Sequence, residues 1–153
     1  MSSRPGPRRA GPSLLADAVE SRPGFIAHLG LRLDEVGAER VTGHLDVGPE
    51  HLQPYGLVHG GVYAAIAETL ASLGAMAAAR RNGPSLGAVG LENHTSFLRG
   101  VGAGRRIEAE AVVRHGGRRV HHWTVTMRDA SDGRELAVSA VRLLVVDTAQ
   151  LTV

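Results

Sequence analysis

From Gly60 to Ala79, "GGVYAAIAETLASLGAMAAA", the only side chain charged at neutral pH is Glu68. The run is rich in alanine, is preceded by His59 and gives way to "NGPS", so it reads as one helix over about residues 59–81. A helix that is apolar on nearly every side has to be enclosed. The rest of the chain must therefore supply a layer that wraps it.

That remainder reads as strand. "LGLRLDEVGAERVTGHLDV" carries Leu31, Leu33, Val41, Leu45 and Val47 at near-alternate positions, which predicts two strands, and "GPEHLQPYG" then loops to the helix. Four more strands are predicted after the helix, over about residues 87–98, 106–114, 119–128 and 135–146. In the second of these, Ile107, Ala109, Ala111 and Val113 share one face, with Glu108 and Glu110 opposite. "HGGR" (115–118) and "DASDG" (129–133) read as hairpin turns. The last strand, "LAVSAVRLLVV", is apolar on both faces, as a central or interface strand is. The order predicts an α+β fold, an antiparallel sheet around one helix, forming a single domain over residues 13–153. Residues 1–12 are expected to be a flexible tail, and a short helix is expected near residues 14–20.

Composition narrows the function. With 153 residues, 43% hydrophobic and 21% charged, the chain is of globular type. Aromatics are only 3%, so the core is built from Ala, Val and Leu, and stacking surfaces for nucleic acid are scarce. The absence of cysteine removes disulfides, thiolate metal sites and a thiol nucleophile, and fits a reducing, cytoplasmic setting. All 17 basic residues are Arg, yet the net charge is only +2, a weak case for a nucleic-acid partner. The helical run comes closest to a membrane span, but its Glu, Ser and Thr and its many alanines favour a buried helix. No apolar segment follows Arg4, Arg8 and Arg9, so no secretory signal is expected.

With about 100° per residue, Val62, Ile66, Leu70 and Leu73 lie on the side of the helix away from Glu68. Glu68 shares its face with Ala64, Ala65, Ala71, Ser72 and Ala75. A solvent face would place other charges three or four residues away, and none occurs before Arg80. An alanine face with one acid reads instead as an interface or a ligand cavity.

The two glycines of "HGG" open the helix, where backbone N–H groups lack internal partners. They permit either tight packing or the close approach of a ligand oxygen that becomes negative during reaction. Gly60 and Glu68 are eight residues apart, about 12 Å along the axis at roughly 1.5 Å per residue. One helix is poorly placed to offer both to one reacting carbon. Two antiparallel copies can, so a dimer with shared sites is expected.

Three stretches, "QPYGLVHGGVYAAIAETLAS", "VGLENHTSFLRG" and "RHGGRRVHHWTVTMRD", resemble the hotdog-fold acyl-CoA thioesterases. The likeness is greatest to the branch that holds phenylacetic acid degradation thioesterases, glutamate-type 4-hydroxybenzoyl-CoA thioesterase and dihydroxynaphthoyl-CoA thioesterase, and it spans about residues 25–146. The resemblance implies a hotdog fold, mostly tetramers built from dimers, and hydrolysis of an aryl, arylacetyl or medium-chain acyl-CoA without a cofactor or metal. It implies Glu68 as nucleophile or general base, Gly60 as the amide that polarises the thioester carbonyl, and Gln53 as a second contact to that carbonyl. His59 is the motif histidine, and Ser72 positions the water. Coenzyme A brings phosphates that call for Arg. By resemblance and charge Arg99, Arg118 and Arg119 are the candidates, with Gly90, Phe97, Leu98 and Gly117 beside them. Arg105 and Arg106 are read as solvated. Where the family often has Pro after the "FLR" arginine, this chain has Gly100.

Other readings are weaker. "GPSLG" (83–87) matches a nucleophile elbow only formally, because here a helix precedes and a strand follows. His121 and His122 are neighbours in a strand and point to opposite faces, so they do not form a metal pair. An acyl-thioester hydratase or dehydratase carries a different loop before its helix. A non-catalytic acyl-CoA-binding hotdog protein would be expected to have lost the acid, and Glu68 is present.

Overall fold

The helix forms where its ends are marked. A computed structural model, which describes Asp17 and residues 19–151, has α1 over Phe25–Leu29 and the long α2 over Gly60–Ala79. His59 caps α2 by accepting the Gly61 N–H at 2.9 Å, and the chain turns away after Arg80 into Asn82, Gly83 and Pro84. Between its ends the helix is mostly alanine and leucine, with no proline. α2 is long and apolar enough to cross a bilayer, but here the sheet covers it: Tyr63, Ile66, Ala67, Leu70, Ala71 and Ala75 are all buried.

Six strands make one sheet: β1 Arg32–Val36, β2 Arg40–Asp46, β3 Leu86–Phe97, β4 Arg106–Gly116, β5 Val120–Asp129 and β6 Glu135–Asp147. Their order is β1-β2-β4-β5-β6-β3, every pair antiparallel. Inward-facing Val41, Leu45, Ile107, Val125, Met127, Val141 and Leu143 pack with Ile66 and Leu70 of the helix into one core. The buried face of β4, Ile107, Ala109 and Ala111, is the one that alternation predicts, and β6 is central, between β5 and β3.

Two local features differ from expectation. β4 continues through His115 and Gly116, which pair with His122 and His121, so the turn tightens to residues 117–119 and closes with Gly117 N–H on the Val120 carbonyl. A bulge between Val113 and His115 makes that continuation possible. "GPSLG" lies between α2 and β3, the wrong context for an elbow. The expected tail and most of the short helix near residues 14–20 lie outside the described residues. Glu20 is helical, and its carboxylate takes the Leu33 N–H at 2.5 Å and Arg32 at 3.2 Å.

Trp123 fixes the depth at which β5 meets the helix. The indole is 1% exposed, and a Cβ on Gly74 would come within 2.2 Å of its Cη2. Only glycine leaves room for that ring.

Candidate active site

β3 lies across α2 and runs counter to it, packing on the helix more extensively than any other strand. The Phe97 ring lies over Gly60, Asn93 bonds the Ala64 carbonyl at 3.0 Å, and Gly90 stands over Glu68. Part of the alanine face that the helical wheel reserved for an interface or a cavity is therefore covered by the chain's own strand. Glu68 emerges half-buried beneath it. Its Oε2 accepts from Asn93 Nδ2 at 3.2 Å, and a Cβ on Gly90 would lie 2.1 Å from Oε1. Ser72 follows one turn later and is also half-buried.

The helix start is held by its loop. Buried His51 accepts the Gly48 N–H at Nδ1 (2.9 Å), so its Nε2–H donates to the Leu29 carbonyl (2.8 Å). The His51 carbonyl then takes the His59 N–H at 2.9 Å. Because His59 Nδ1 accepts from Gly61, the ring carries its proton on Nε2 while the side chain stands exposed at the helix tip. The Gly60 N–H has no partner among the described residues. Gln53 begins a tight turn, with Gly56 N–H on its carbonyl at 2.9 Å, and its Oε1 takes the Tyr55 N–H at 2.5 Å.

Gln53, Gly60, Tyr63, Phe97, Leu98 and Arg99 line one cleft of about 290 Å³. Phe97 and Leu98 are 58% and 53% exposed, an apolar rim of the kind a ligand or a partner covers. The cleft shares Leu57, Arg99 and Gly100 with a second hollow of about 490 Å³ that reaches Arg105 and Arg134. Tyr63 lies buried beneath Phe97, ring centroids 6.1 Å apart. Burial, with Asp129 adding a smaller effect, pushes its hydroxyl up to about 12.

The arginines divide clearly. Arg105 is bonded to buried Asp129, and Arg106 forks onto Asp46 at 2.7 and 2.8 Å. Arg99, Arg118 and Arg119 make no ion pair among the described residues. They are not together, however. Arg119 is level with Val145, which pairs with Ala88, whereas Arg99 follows the other end of β3. One chain gathers Gln53, His59, Gly60, Phe97, Leu98 and Arg99 at the helix tip and Glu68, Ser72 and Gly90 midway along the helix. Gly117, Arg118 and Arg119 stand at the far end of the sheet. Among the described residues no three His, Asp or Glu gather as a metal site.

Asn93 was not singled out in the sequence. It lies within "VGLENHTSFLRG", but nothing in a single chain marks it as the neighbour of Glu68.

A long central helix wrapped by a six-stranded antiparallel sheet, with one half-buried carboxylate on the helix, is the hotdog arrangement. The sequence pattern of the Thioesterase superfamily matches residues 55–136. The "Putative esterase Rv1847" of Mycobacterium tuberculosis is 40% identical over 119 residues, covering 78% of this chain and 84% of its own, and its structure superposes with a TM-score of 0.76. The solved thioesterase HI1161 of Haemophilus influenzae is 26% identical with a TM-score of 0.78, covering 89% of this chain and 91% of its own. The 1,4-dihydroxy-2-naphthoyl-CoA thioesterase 2 of Arabidopsis thaliana is 37% identical over 99 residues, covering 65% of this chain and 60% of its own. The chain belongs to the Thioesterase superfamily, and its reaction class is thioester hydrolysis.

Proposed function

We propose that the protein hydrolyses the thioester of an acyl-CoA to the free acid and coenzyme A, in a cleft completed by a second copy of the chain. The observation that carries this reading is the half-buried Glu68 carboxylate, seated between Gly90 and Asn93 on a helix with no other charge. A thiolate leaves readily, so a carboxylate, an oxyanion donor and a placed water suffice. The free Gly60 N–H at the helix start is the donor for the carbonyl oxygen as it becomes negative, with His59 and Gln53 beside it. Glu68 has two possible roles. As nucleophile it attacks the carbonyl carbon, expels the thiolate and leaves an anhydride for water to open. As base it takes a proton from the attacking water, near Ser72, and the departing thiolate is protonated in turn. Label found in Glu68 after a single turnover in 18O-water would identify the anhydride route, with water opening it at the Glu68 carbon.

Two features support a second copy: Gly60 and Glu68 lie eight residues apart on one helix, and β3 offers an edge for pairing. β3 is a twelve-residue edge strand that, among the described residues, is bonded on one side only, to β6, with Val89 and Leu91 exposed. Long apolar edges of this kind pair with another strand. Two β3 edges pairing antiparallel about a two-fold axis carry the second copy's helix tip toward this chain's Glu68. The same operation brings the second copy's Arg118 and Arg119 end level with Phe97 and Arg99, so that these three arginines are candidates for the phosphates of coenzyme A. The likeness to a dihydroxynaphthoyl-CoA thioesterase favours aroyl or arylacetyl groups over medium-chain acyl groups.

The test is a panel of benzoyl-, phenylacetyl- and hexanoyl-CoA with the released thiol detected, run on wild type and Glu68→Gln. The expected result is loss of turnover on the order of a hundredfold or more with binding retained. Full turnover in the variant overturns the reading. A protein that binds acyl-CoA but never releases thiol would instead be a non-catalytic binder.

A further inference from the structure

The strand that covers Glu68 changes its facing midway. Val89 pairs with Leu144 and Gly90 with Leu143; the register then slips by one, and Glu92 pairs with Arg142, Asn93 with Val141 and Thr95 with Ser139. Residues directly opposite in an antiparallel pair share a face, and Leu143, Val141 and Ser139 are buried residues of β6. Gly90, Asn93 and Thr95 therefore all face inward. Strict alternation from Gly90 would have set Glu92 against the helix and turned Asn93 away. The extra residue, Leu91, exchanges them. Glu92 turns out to Arg142 at 3.3 Å, and a neutral amide comes to Glu68 in place of a second carboxylate.

The orientation of that amide is determined by its neighbours. Nδ2 donates to the Ala64 carbonyl and to Glu68, and Oδ1 accepts from the Thr95 hydroxyl at 2.7 Å. Since Thr95 gives its one hydrogen to Asn93, its 2.8 Å contact with Ser139 has Ser139 as donor. Ser139 is 1% exposed, so its hydroxyl is shielded from bulk solvent. The hydrogen bonds run one way, from Ser139 to Thr95 to Asn93 to Glu68. A flipped amide would set its oxygen against two acceptors, the Ala64 carbonyl and the Glu68 carboxylate.

We infer that Asn93, oriented by Thr95 and Ser139 and brought inward by the Leu91 bulge, is a positioning residue that holds the Glu68 carboxylate in its reactive orientation. The inference rests on the reading of Glu68 as the catalytic carboxylate. By engaging Oε2, Asn93 fixes the carboxylate with Oε1 against Gly90 and free of the amide.

The experiment measures kcat and KM for whichever of benzoyl-, phenylacetyl- or hexanoyl-CoA the wild type turns over fastest. The variants are Asn93→Ala, Thr95→Val and Thr95→Ser, with Asn93→Ala also placed in the Glu68→Gln background. Asn93→Ala is expected to lower kcat about ten- to a hundredfold with little change in KM, as loss of a bond to a charged group that acts at the chemical step would. Thr95→Val lowers kcat less, and Thr95→Ser restores it. In the Glu68→Gln background Asn93→Ala costs nothing further, which a merely structural role would not produce. Wild-type kcat in both Asn93→Ala and Thr95→Val, or an undiminished loss in the Glu68→Gln background, overturns the inference. If Asn93→Ala does not fold, the Thr95 pair decides, and equal rates in Thr95→Val and Thr95→Ser overturn it. Wild-type turnover in Glu68→Gln would instead defeat the catalytic reading on which the inference depends.

Discussion

Gly90 and Glu68 stand face to face, so close that a methyl group on the glycine would lie 2.1 Å from Glu68 Oε1. The atom in the way is the end of a flexible side chain, which can swing aside without moving the backbone. Gly90→Ala should therefore displace the carboxylate while leaving the fold almost intact. The expected outcome is a kcat lower by about tenfold or more, because an ångström-scale misplacement is costly at a reacting centre. Thermal unfolding, measured alongside, should change little. Unaltered kcat would mean that the carboxylate leaves this seat without consequence.

Gly74→Ala makes the opposite pairing of effects. Here the obstructed atom is Cη2 of Trp123, locked in the core at 1% exposure. Overpacking of this kind costs about 1–3 kcal/mol. For a chain of this size the melting temperature should fall by roughly 3–10 °C. Differential scanning calorimetry reads it directly.

His121 couples stability to pH. It is buried on the inner face of β5, and burial holds its imidazole below the ordinary value of 6.5, opposed in part by a backbone bond at Gly117. In the unfolded chain the ring takes up its proton as pH falls through about 6.5, whereas the folded protein resists it. Stability from this group is thus full above that pH and declines as pH drops below it. Urea unfolding at pH 7.5 and 5.5 should show a smaller decline in His121→Leu than in wild type. Equal declines would show that His121 is not the source of the pH dependence.

The β3 edge predicts a change of assembly. Val89 and Leu91 are 36% and 48% exposed on a strand whose second side is unbonded among the described residues. Lysines at both positions, Val89→Lys with Leu91→Lys, place charge where the proposed second copy would pair. Sedimentation velocity should then show a monomer, and turnover should fall although Glu68 is untouched. A monomeric variant with full activity would remove the shared site.

Asp129 anchors the turn beneath Arg105. Its carboxylate accepts the Ser131 N–H at 2.9 Å and the Ser131 hydroxyl at 2.8 Å and pairs with Arg105. The Ser131 backbone bond is the chief reason that its carboxyl sits below the usual 3.8, with the Ser131 hydroxyl and Arg105 adding to it. The stability it supplies is present above its ordinary value and is lost as pH falls through the lowered one. Asp129→Asn should be less stable than wild type at pH 7, and the gap in urea midpoint should narrow as pH falls below the ordinary carboxyl value of 3.8.

Much of this architecture was legible because its signals are local. An alanine-rich helix with one charge, flanked by strands that alternate Ile107, Ala109 and Ala111 with Glu108 and Glu110, demands a wrapped sheet whatever the details. Glu68 stood out for the same reason. Asn93 did not: in a strand read by alternation from Gly90, Glu92 faces the helix and Asn93 faces away. The cover that β3 places over the alanine face was equally hidden, since it depends on β6, some fifty residues further along, pairing with β3.

The sequence by itself determined the element order, the central position of α2 and the presence of one carboxylate on a face of small residues, because helical and strand periodicities are properties of neighbouring residues. Only the tertiary structure decided which residues meet that carboxylate and which arginines stay unpaired. A single inserted residue such as Leu91 resets the parity of a strand, and its position follows from packing between distant segments.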